Sequence, residues 1–188
     1  MRSKTAVMAS SLVAGYIVML LLAPQPVHGA AEPNNPLYRQ LETQLGRLYL
    51  NHKNLNHIYR NLHDVALDAM AGSDRQLSYI QKTYLFVNEA NLMCFYQWEL
   101  LSITDYIKED YKTDYFTLRV KDLDRAIFES KDRVNSLKLY YGFIEIETAR
   151  KLIDDAVGVI EANIYIYETL MDLLQPLANP PNPYEKNT

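Results

Sequence analysis

The stretch over residues 84–103, YLFVNEANLMCFYQWELLSI, most restricts what this chain can fold into. Fourteen of its twenty residues are apolar or aromatic. Leu77, Ile80, Tyr84, Val87, Asn91, Cys94, Trp98 and Leu101 follow alternating spacings of three and four, the signature of one helical face. A second row, Tyr79, Phe86, Met93, Leu100 and Ile107, recurs every seven residues. At about 100° of rotation per residue it lies roughly 200° from the first. A helix with apolar rows on opposite sides needs cover on both.

The rest of the chain carries the same periodicity. No Pro occurs between Leu37 and Gln175, as an all-helical domain requires. Leu41, Leu48, Leu55, Leu62 and Ala69 repeat every seven residues and predict a first helix over 36–71, capped by Asn35 with Pro36 at its first position. Gly72 and Ser73 break it, and Ser73 with Gln76 fits a capping box for a second helix over 74–109. Residues 110–114, DYKTD, read as a turn. A third helix over 115–141 buries Phe116, Val120, Leu123, Ile127, Val134 and Leu137. A fourth, over 145–174, has a broad apolar arc ended by Pro176. The expected fold is all-α: an up-down-up-down bundle of four long antiparallel helices, with the second and fourth on a diagonal. Residues 176–188 are expected to be a disordered Pro/Asn-rich tail.

The N-terminus has the order of an export signal. Arg2 and Lys4 precede the uncharged apolar run 6–23, and Pro24, Pro26 and small residues follow. Cleavage near residue 30 would leave an exported protein, periplasmic or extracellular. The alternative is an uncleaved membrane anchor formed by residues 6–23. The remaining chain would hold 17 basic and 23 acidic residues, a net charge of −6. With no basic block, nucleic acid is not an expected partner. A single cysteine, Cys94, allows no internal disulfide, so packing must hold the fold.

The usual chemistries lack their residues. His52 and His63 share a face but stand about 16 Å apart along the axis, too far for one metal. Glu-x-x-His, Cys-x-x-Cys-His and Gly-rich phosphate loops are all absent. No acid, base and nucleophile set converges, so neither an enzyme nor a resident cofactor is expected.

Two functional readings are left. In the first, the row Tyr79, Phe86, Met93, Leu100, Ile107 is an interaction face, covered by a second copy or by another protein. In the second, Tyr84, Asn91, Trp98, Asn163 and Tyr167 line an internal pocket for a small aromatic, amphipathic or haem-like ligand. Asn91 and Asn163 have a plainer role available: a polar residue on a core row fixes the register of the helices around it.

Overall fold

The structure, a computed structural model, describes residues 36–70 and 74–180. The expected signal segment and residues 181–188 lie outside them. The described chain forms four long helices: α1 (Pro36–Ala69), α2 (Asp74–Ser102), α3 (Glu109–Tyr141) and α4 (Glu147–Ala178). A 3₁₀ turn, Thr104–Tyr106, joins α2 to α3. Each helix packs on its neighbours in sequence, and α1 closes the ring against α4. This is the expected up-down bundle, with α2 and α4 facing each other across the diagonal.

The heptad leucines of α1 supply one wall of the core. Leu48, Leu55 and Leu62 are fully enclosed. They meet Ile80, Val87, Cys94 and Leu101 of α2, Leu123 and Leu137 of α3, and Ile153, Ile160 and Leu170 of α4. Each such buried aliphatic side chain contributes about 1.5–3 kcal/mol relative to exposure. In the Asn-rich middle of α1, Asn51 bonds to a neighbouring helix: its Nδ2 donates to Asn163 Oδ1 of α4 at 2.7 Å.

Three boundaries differ from the sequence reading by more than two residues. The second helix ends at Ser102, seven residues early, and the third begins at Glu109, six early. The break falls where hydroxyls bond to helix carbonyls. Ser102 Oγ donates to Glu99 O at 2.8 Å, and Thr104 Oγ1 donates to Leu101 O at 2.7 Å. The DYKTD run instead forms the start of α3, where Glu109 and Asp110 complement the helix dipole. Third, α4 continues past Pro176 to Ala178. So close to its C-terminus the missing Pro N–H removes only one bond, and Asn179 N–H still reaches Gln175 O at 3.1 Å.

Gln76 differs too. Its side chain clamps the α3–α4 turn, with Nε2 donating to Phe143 O at 3.1 Å and Oε1 accepting from Glu145 N–H at 3.0 Å. One amide thereby ties the start of α2 to the far hairpin.

Candidate interaction face on the second helix

The predicted row lies along the seam between α2 and α3, and all five of its residues are half-buried. Tyr79 rests against Tyr140 and stacks on Phe143, with ring centroids 6.2 and 5.3 Å away. Phe86 meets Tyr140 at 5.8 Å and lies beneath the Arg133 guanidinium. Ser130 Oγ stands 3.5 Å from Met93 Sδ, and Tyr115 OH donates to Leu100 O. Ile107 follows the 3₁₀ turn. The third helix therefore supplies much of the cover that the sequence assigned to a partner.

A different stripe, along α2 and the first residue past its end, meets solvent. Leu85, Leu92, Tyr96 and Ile103 are 52, 56, 50 and 40% exposed. At 100° per residue they fall within about 40° of one another, on the outermost line of the helix. The sequence reading did not isolate them. Their spacing of seven, four and seven was available as a signal, but Asn88, Glu89 and Glu99 interrupt it.

The stripe runs into features on both flanks. Toward α3, Leu92 and Tyr96 form part of a groove of about 430 Å³ that also holds Met93, Gln97, Ala126 and Arg125. Gln97 is buried there, and its Oε1 has no protein partner. On this rim Arg133 pairs with Glu89 at 2.6 Å and Arg125 with Glu129 at 2.6 Å. Toward α1, Phe95 packs on His52 at 4.9 Å and on Trp98 at 5.6 Å, and Trp98 meets Tyr49 at 5.1 Å.

Other exposed apolar residues form shorter groups, such as Tyr111 with Leu118 on α3 and Leu50 with Tyr165 across the α1–α4 groove. Phe128 is the most exposed at 74%, but its surface neighbours on α3 are Asp124, Arg125, Lys131 and Asp132. Isolated residues of this kind are ordinary on a protein surface; four large apolar residues on one line are less so.

The structure does not bring the five core candidates to one place. Asn163 and Tyr167 lie inside, beside Cys94. Burial pushes the Cys94 thiol up to about 12, partly offset by hydrogen bonds from Tyr167 and Asn163, and Cys94 Sγ donates to Leu48 O at 3.2 Å. Burial also raises the Tyr167 hydroxyl well above its ordinary value, with Cys94 adding to the effect. Asn91 is buried with no protein partner for its Oδ1. Tyr84 and Trp98 lie half-buried at the α1–α2 seam, roughly 21 Å apart along the axis. Tyr84 stacks on Tyr59 at 4.4 Å, and their hydroxyls meet at 2.6 Å.

Comparison with known proteins gives no match among family models, curated proteins or solved structures.

Among the described residues, no group of three or more His, Cys, Asp or Glu side chains could hold a metal ion. No described helix is long and apolar enough to cross a membrane.

Proposed function

We propose that this chain is an exported interaction protein that engages another polypeptide through the outward face of α2. The exposed stripe Leu85, Leu92, Tyr96 and Ile103 carries the reading, because its four large apolar side chains share one line and are uncovered by the chain's own helices. Met93, at the lip of the adjoining groove, extends it. Long apolar stripes on a helix bind by laying a partner helix alongside. The groove's mixed rim of Glu89, Glu129, Arg125 and Arg133 suits a partner edge with both charge signs. Export is proposed from the N-terminal segment alone, as is anchoring by residues 6–23 if that segment is retained.

A core ligand site has less support. Asn163 is occupied by Asn51, and Tyr167 and Cys94 pack together, so these groups already have protein partners. That arrangement favours a register role for Asn163.

A photo-crosslinking side chain at position 96, in the full chain expressed in its native source, tests the reading. The expected product is a discrete crosslinked species of higher mass. The same probe at position 128 should give none. Equal, diffuse crosslinking from both positions contradicts the proposal.

A further inference from the structure

We infer that the partner on this face is a second copy of the chain, its α2 antiparallel to the first about a twofold axis level with position 94. This rests on the interaction reading above and names the partner. The spacing seven, four, seven is the same read in either direction. Leu85 and Ile103 stand nine residues either side of position 94, and Leu92 and Tyr96 two either side. An antiparallel twin therefore sets Leu85 against Ile103 and Leu92 against Tyr96, each twice by symmetry. Every exposed stripe residue meets another stripe residue.

The flanks match in the same register. On the α3 side, the contacts of Glu89 with Arg133 and Met93 with Ser130 place Arg125 level with residues 97–98. Glu89 lies five residues on the other side of the axis. The twofold operation thus brings Glu89 of one copy opposite the largely exposed Arg125 of the other. On the α1 side, marked by the contact of Phe95 with His52, Asn88 lies six residues before the axis and Glu99 five after it. The Asn88 amide of one copy can donate to the Glu99 carboxylate of its twin. Glu89 and Arg125 are already paired with Arg133 and Glu129, and the twofold operation also sets Arg125 level with the twin's Arg133 and Glu129 level with its own twin, so the two amide–carboxylate pairs, not the charges, mark the register.

Cysteine crosslinking between differently substituted chains tests this. Leu85→Cys and Ile103→Cys change exposed positions, and circular dichroism checks that each variant keeps its helix content. Cys94 is retained, since it is buried. In the antiparallel pair, two copies of either variant hold their new thiols roughly 27 Å apart at 1.5 Å per residue. Each variant alone should give little disulfide dimer, while an equimolar mixture under mild oxidation should give at least tenfold more. Self-crosslinking of Leu85→Cys as fast as the mixture overturns the antiparallel register. A wild-type chain that sediments as a monomer at its highest soluble concentration overturns the twin. If the position 96 probe then still captures a different protein, the interaction reading survives this failure; if it captures nothing, both fall.

Discussion

Asn163 shows what one side chain does in this interior. It lies on the core row of α4 and takes a 2.7 Å hydrogen bond from Asn51 of α1. Sliding either helix by one turn would break that bond and leave the buried Asn163 amide unmatched. Asn51→Ala should therefore lower unfolding free energy by about 1–3 kcal/mol, the penalty for an unsatisfied buried polar group, as read from urea midpoints. Cys94 sits beside the same group and gives a second prediction. Its folded thiol keeps its proton up to about 12, against 9.0 ordinarily. Above pH 9 the unfolded chain releases that proton and the folded chain does not. The unfolded state then binds fewer protons, so stability is full below pH 9 and falls as pH rises through this window. Tyr167 acts in the same direction above its ordinary 10.0. The Cys94 contribution has a slope of about 1.4 kcal/mol per pH unit. Urea midpoints should drop between about pH 8 and about pH 10.5, and Cys94→Ala should flatten the decline.

At the scale of the helix, α2 has three apolar sectors, facing the core, α3 and solvent. Substitutions should separate them. Phe86→Ala removes a ring packed on Tyr140 and should destabilise the chain by about 2 kcal/mol, less than a fully buried Phe. Leu92→Glu touches only the outward stripe and should shift monomer stability by about 0.5 kcal/mol or less. Denaturation of both variants at low protein concentration checks the contrast, and comparable losses would show that the stripe is structural. The four helices were legible in the sequence because leucine heptads and a Pro-free run leave no competing pattern. So were the two apolar sides of α2. Which side stays open was not, because that depends on side chains reaching across from elsewhere: Tyr140 and Arg133 of α3, and Phe143 just past its end, lie over Tyr79 and Phe86. The Gln76 clamp spans 67 residues, and no local capping rule anticipates it.

The whole molecule is two helical hairpins, α1–α2 and α3–α4. Contact within each hairpin is more extensive than contact between them, and the α2–α3 seam is the thinnest of the four. Gln97 and Arg119, each with buried polar atoms lacking a protein partner, sit along that seam. Amide exchange should accordingly be fastest, among the helix interiors, on the α2 and α3 turns lining the groove, and exchange mass spectrometry measures it. Equal protection across all four helices would contradict this. Association through the α2 stripe has a bounded strength. Burying the exposed half of four large side chains contributes roughly 3–6 kcal/mol per chain, and twice that for two copies. Loss of translational and rotational freedom opposes this by about 4–15 kcal/mol. The pair should therefore be weak and concentration-dependent, with flanking polar contacts deciding its register. Carbene footprinting of the full chain, at high and at very low concentration, tests the interaction face most directly. The account predicts that labelling of Leu85, Leu92, Tyr96 and Ile103 falls several-fold on concentration, while Phe128 is labelled equally in both. Unchanged labelling of the four stripe residues across that range, with Phe128 also unchanged, would contradict it.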